Sequence, residues 1–248
     1  MPVAEPSAST RERAADALRT LERMGTKRNR DGMARYGLVA KHVFGVSVAD
    51  IQQLAKRYGR DHALALALWV SGWYEARLLA AFVDEPARVT SAQMDRWARE
   101  FENWGDCDTV VMHLFDRTPH AWKKVALWSG REPEFVKRAG FALIASLALH
   151  DKTAPDAPFA AALRLVAREA HDERNYVKKA VNWALRAVGS RNLALHARAV
   201  ALATTLAASS EPTPRWIGKD ALRQLATPAT RKRLERATAG SRRAGSRR

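Results

Sequence analysis

A chain of 248 residues with 47% hydrophobic and 27% charged side chains can bury a sizeable core, as one large domain or one continuous repeat array. The 42 Lys and Arg against 26 Asp and Glu leave a net charge of +16, which calls for a polyanionic partner, either nucleic acid or an anionic surface. One cysteine, Cys107, excludes an internal disulfide, and no apolar run approaches the ~20 residues of a membrane span.

The first nine residues carry no basic stretch followed by an apolar core. They are expected to be a disordered N-terminus rather than a secretory signal, and the protein is expected to be cytoplasmic, nucleoid-associated in a bacterial cell. Thr10 is placed to cap a first helix running to Met24, and Gly25 to Gly37 reads as a Gly- and Arg-containing connection. Ser47 opens a helix ending near Tyr58 and Gly59, and Asp61 caps the next. The run Ala63 to Trp69 alternates like a strand. It contains no β-branched residue, and Ala and Leu favour helix.

Further helices are predicted over Tyr74–Val83, Ser91–Glu102, Asp106–Phe115, Ala121–Trp128, Glu134–His150, Phe159–His171, Tyr176–Gly189, Ala194–Ala208 and Lys219–Leu225. Short Pro-containing breaks separate them, among them Asp84-Glu85-Pro86 and Glu211-Pro212-Thr213-Pro214. Residues 10–228 are therefore expected to form a single all-α domain. It is expected to be a curved α-solenoid of antiparallel helix pairs of HEAT or armadillo type, with a period of roughly 40–47 residues. From residue 229 the chain is dominated by Arg and Lys against Glu235 alone, and this tail is expected to be disordered.

Within that frame, Trp104 and Asp108 are four residues apart, so a helix start presents an indole and a carboxylate on one side. A carboxylate beside an aromatic plate in a basic protein suits a cationic transition state. The same spacing equally fits a capped helix with a core Trp, Asp106 or Asp108 acting as the cap. Trp183 and Arg186 also share a face, which suits an aromatic contact to sugar or base with an Arg on phosphate. It also suits a core Trp with a solvated Arg. Arg138 adjoins an apolar helix and reads as either a snorkelling surface group or a phosphate clamp. No Gly-rich phosphate loop follows a strand, and the His and Cys residues have no zinc-ligand spacing, so no cofactor and no metal are expected. Cys107 reads as a buried helix residue.

Taken together, these segments resemble the AlkD-type family of DNA alkylation repair enzymes, HEAT-like-repeat DNA glycosylases. Met33-Ala34-Arg35-Tyr36 leading to Phe44-Gly45-Val46 is similar to the family's N-terminal signature. Trp104-Gly105-Asp106-Cys107-Asp108 resembles its Trp-x-x-x-Asp segment, with Gly105 a departure where relatives carry Asp. Val136-Lys137-Arg138-Ala139 and Lys179 to Arg186 resemble the helices bearing a phosphate-binding Arg and the second active-site Trp. Trp216 to Leu222 is typical as well.

The resemblance implies hydrolysis of the N-glycosidic bond of cationic alkylpurines such as 3-methyladenine and 7-methylguanine in duplex DNA, without an enclosing base pocket. It implies Asp108 as catalytic carboxylate and Trp104 and Trp183 against the deoxyribose. Arg138 and Arg186, with Lys178 and Lys179 beside them, would hold phosphates, and Tyr36 would lie at the lesion. A monomer acting on duplex DNA is expected. The alternatives are a non-catalytic HEAT-repeat protein that binds damaged or branched DNA, and a protein-interaction scaffold.

Overall fold

The computed structural model describes residues 7–245, with side chains described through residue 236. The expected disordered N-terminus lies mostly outside these residues. Ser7 already caps the first helix, accepting from the backbone N–H of Thr10. Every regular element among the described residues is helical, and they fall into two compact units that divide after His120.

The first unit comprises α1 (Ala8–Met24), α2 (Lys27–Arg35), α3 (Val48–Tyr58), α4 (His62–Val70), α5 (Tyr74–Val83), α6 (Ser91–Arg99) and α7 (Trp104–His113), then a single 3-10 turn, Phe115–Arg117. Its centre is α5, which packs on α1, α3, α4 and α7. All of its residues except Phe82 are buried, the charged Glu75 and Arg77 among them. Beside it Trp69 and Trp97 stack in parallel with ring centroids 3.9 Å apart. The Trp69 indole N–H donates to Glu100, and the Arg77 guanidinium lies over the Trp69 ring.

Two buried carboxylates tie this unit together, one holding a loop and the other joining two helices. Glu75 is fully buried, and its carboxylate accepts from the backbone N–H groups of Phe44, Gly45 and Val46 at 2.9, 2.6 and 3.2 Å. Charge-assisted bonds of this kind offset the cost of taking a carboxylate out of water. The motif Phe44-Gly45-Val46 is thereby a backbone cradle for one anion. Gly45 sits at φ 87°, and a side chain there would strike the Thr26 carbonyl, so the cradle requires glycine. Asp84, equally buried, accepts from Gln93 and pairs with His62, joining α4 to α6.

The second unit comprises α8 (Ala121–Trp128), α9 (Glu134–His150), α10 (Asp156–Glu169), α11 (Asn175–Gly189), α12 (Leu193–Ala207), α13 (Pro212–Leu225) and α14 (Pro228–Gly245). Consecutive helices pair as α8 with α9, α10 with α11 and α12 with α13. The second members, α9, α11 and α13, pack side by side in one layer, and α10 and α12 pack in another. This is the layered pairing of a HEAT-like repeat. Glycine sets the closest approaches: a Cβ on Gly140 would lie 2.7 Å from the Ser129 amide, and one on Gly218 would lie 2.5 Å from the Ala203 carbonyl.

Three segments differ from expectation. The connection from Gly25 to Gly37 contains α2, a helix with no buried residue, so hydrophobic periodicity could not reveal it. Helix α13 begins at Pro212, seven residues before the expected Lys219, because the two prolines lie in its first turn. There the missing N–H would have had no helical partner anyway. The basic segment from residue 229, expected to be disordered, continues as α14. Thr227 accepts from the Thr230 amide at its start, and Leu234 is buried at 2% exposure.

Candidate functional site

Helix α7 opens with a capping box. The Asn103 side chain accepts from the amides of Gly105 and Asp106 at 2.8 and 3.2 Å, and Asp106 accepts from the Asn103 amide. Asn103 is thus the cap, and Asp106 closes the box from the third helical position. Asp106 is 1% exposed and also accepts from the amides of Glu102 and Cys107. Burial pushes its carboxyl up to about 7, despite those three donors and the nearby Arg77 charge. A carboxyl so enclosed organises the backbone and does not meet solvent. Cys107, as expected, is buried.

The box leaves Trp104 and Asp108 as the half-buried side chains of the opening turns. Trp104 does not fill the core. Its indole N–H donates to the Tyr36 carbonyl at 2.9 Å, across 68 residues of sequence. Tyr36 ends α2 and leaves its own ring 73% exposed. The first unit therefore joins Tyr36 to Trp104, with Asp108 one turn further along α7.

Behind them stand two residues that carry no sequence signal, Tyr74 and Leu38. A Cβ on Gly105 would lie 2.6 Å from the Tyr74 hydroxyl and 2.6 Å from the Leu38 side chain. Burial, with the charges of Asp106, Glu75 and Asp108, holds the Tyr74 phenol well above its ordinary range, so it stays neutral. An open cleft of about 600 Å³ adjoins this edge. Arg28 and Arg35 line it together with an apolar set that includes Met33, Tyr36, Leu38 and Tyr74.

The remaining expected residues belong to the second unit, on α9 and α11. Arg138 is only 6% exposed and donates to the Tyr176 carbonyl at 2.8 Å, bracing α9 against α11. Its neighbour Lys137 is clasped by Glu169 and Asp172 at 2.7 and 3.1 Å. On α11, Lys179 is exposed and the Lys178 ammonium lies 5.7 Å from the centre of the Trp216 ring on α13. One and a half turns further along α11, Trp183 and Arg186 line a second cleft, of about 340 Å³. Arg186 donates to the Gln224 side chain at 3.1 Å, while its Nε is enclosed without a hydrogen-bond partner.

Among the described residues, no group of three or more His, Cys, Asp or Glu is placed to hold a metal ion. No described helix is long and apolar enough to cross a membrane. What the two units offer is a fixed indole beside a carboxylate in one, and indoles beside cations in the other. These are groups for aromatic contact, for stabilising positive charge and for holding phosphate.

No curated protein matches the sequence. One solved structure superposes with a TM-score of 0.71 at 22% identity, covering 85% of this chain and 95% of its own. It represents a family described as related to the HEAT-like repeat DNA glycosylases, with affinity for branched DNA structures. At that identity the match establishes a shared HEAT-like fold. The family described as "DNA alkylation repair enzyme" matches residues 17–225. The chain belongs to that DNA alkylation repair family.

Proposed function

We propose that the protein is a DNA glycosylase that releases cationic alkylated purines, such as 3-methyladenine and 7-methylguanine, from duplex DNA. The observation that carries this reading is the Trp104 to Tyr36 bond. It fixes an indole at the start of α7, one turn before Asp108 on the same face.

The chemistry needs little more. An alkylated purine already bears positive charge, so its bond to C1′ breaks with the electron pair leaving on the base, which departs neutral. The sugar is left as an oxocarbenium-like cation. Asp108 stabilises that cation, orients the water that adds to C1′ and takes up the proton the water loses. The Trp104 face adds a cation–π contribution, and Tyr36, largely exposed, contacts the nucleotide at the lesion. In the second unit, Trp183 contacts sugar, and Lys178, Lys179 and Arg186 hold phosphates. Arg138, bonded to the Tyr176 carbonyl, acts by bracing α11.

Asp108→Asn is the test. With base release from methylated duplex resolved by chromatography, the variant is expected to lose about 10²–10³-fold in rate while still binding DNA. Release at the wild-type rate would remove Asp108 from the mechanism. A second reading follows from the affinity for branched DNA attributed to the structural neighbour: a non-catalytic protein that binds junctions. That reading expects no base release from the wild type and tighter binding to a four-way junction than to a linear duplex.

A further inference from the structure

The cleft beside Trp183 is lined by three cations, Lys152, Arg186 and Arg233, and by no carboxylate. Each comes from a different place in the chain: Lys152 from just past the end of α9, Arg186 from α11 and Arg233 from the second turn of α14. From α9 the cleft is lined by two small residues, Ala145 and Ala148, and by the exposed Leu149.

The cations are not neutralised by acids of their own. Lys152 donates at 3.4 Å to the Ala148 carbonyl at the C-terminus of α9, and Arg233 at 3.4 Å to the Ser190 carbonyl. Arg191 stands next to them with its guanidinium spent on the carbonyls of Asp151 and Ala154. The neighbouring Asp151 carboxylate is turned to its own loop, accepting from Thr153 and Ala154. Partial burial lowers the Lys152 ammonium, and the charges of Arg191 and Arg233 lower it further.

Holding like charges together costs free energy that an anion would recover. A phosphodiester beside an indole is the unit that a nucleic-acid strand supplies. We propose that Lys152, Arg186 and Arg233 form a DNA-phosphate site next to Trp183, and that α14 is a DNA-binding element through Arg233. The proposal rests on the reading that the chain binds DNA and goes beyond it by giving roles to Lys152 and to α14. Neither role depends on base excision.

The test measures binding of an unmodified fluorescent duplex by anisotropy over a range of salt concentrations. It compares wild type with Lys152→Gln, Arg233→Gln and the double variant, and uses Arg198→Gln as a control, since Arg198 is exposed on α12. Circular dichroism melts establish that each protein is folded, and Arg233→Lys restores charge should Arg233→Gln unfold. Neutralising one phosphate-binding cation is expected to reduce the slope of log affinity against log salt by about 0.9, so the double variant drops by roughly two such steps. Arg198→Gln and Arg233→Lys should keep the wild-type slope. Folded cleft variants with the wild-type slope, or a control that loses as much as they do, would overturn the proposal. A wild type that binds no duplex would overturn the DNA reading beneath it as well. Absence of base release bears on the glycosylase reading and leaves this site standing.

Discussion

Gly105 decides how the first turn of α7 meets its surroundings. With hydrogen as its side chain, the buried Tyr74 hydroxyl and the Leu38 side chain can close on the helix start. Leu38 can swing aside from an added methyl group, but the Tyr74 ring is 6% exposed and has little room. Gly105→Asp is therefore expected to destabilise this chain. The loss, read from urea unfolding, should be about 1–3 kcal/mol, the usual cost of overpacking. Gly105→Ala should fall between the two, because Ala recovers part of the cost through helix propensity. An Asp variant as stable as wild type would mean that Tyr74 and Leu38 yield freely. The consequence for chemistry is direct, since Trp104 and Asp108 flank this turn. The sequence showed the departure at Gly105 but not its cause, because Leu38 and Tyr74 lie 67 and 31 residues away in the chain.

Among the elements, the junction of α9, α10 and α11 depends on a compact ion cluster. Lys137 on α9 meets Glu169 at the end of α10 and Asp172 in the following loop. Arg174, at the cap of α11, also grips Asp172. Burial works to raise the Asp172 carboxyl, but hydrogen bonds from Arg174 and Lys137 outweigh it and hold it down at about 2, below the ordinary 3.8. Glu169 is lowered as well, with burial again opposed by Lys137 and Arg168. A carboxylate lowered in the folded state adds stability that is complete above its ordinary value and is lost as pH falls toward the folded one. The second unit should thus weaken between about pH 4 and pH 2. Asp172→Asn should remove about 2 kcal/mol of that dependence, seen as a smaller drop in unfolding free energy between pH 5 and pH 2.5. Equal acid sensitivity in the variant would show that the cluster does not carry the effect.

Element by element, legibility followed burial. The apolar helices Tyr74–Val83 and Glu134–His150 were evident end to end, because their composition leaves no other structure open to them. Helix α2 was hidden by its polarity, the start of α13 by prolines that read as a break, and α14 by a charge density that resembles a free tail. The partnership of Trp104 with Tyr36 uses a backbone carbonyl, and no side-chain pattern encodes that. The same holds for Arg138, whose acceptor is the Tyr176 carbonyl.

For the whole molecule, the net charge of +16 calls for a polyanion partner, and the chain belongs to a DNA alkylation repair family. It could not say which cations sit in carboxylate clusters and which are left for a ligand. Lys137 and Lys152 differ in this respect although both are lysines near an end of α9: one is neutralised by two acids, the other is crowded by arginines.

From Val136 to Ala148 every residue of α9 is buried, and α8, α10 and α11 pack against it. Fraying exposes helix ends and rims, but it cannot free an amide that is covered on every side. Deuterium should therefore enter the middle of α9 only when the second unit opens as a whole. In a native-state exchange experiment these amides should be the slowest of their unit. Their opening free energy should equal that of global unfolding and fall in step with it as denaturant is added, while amides at the start of α14, where most described side chains are exposed, exchange orders of magnitude sooner.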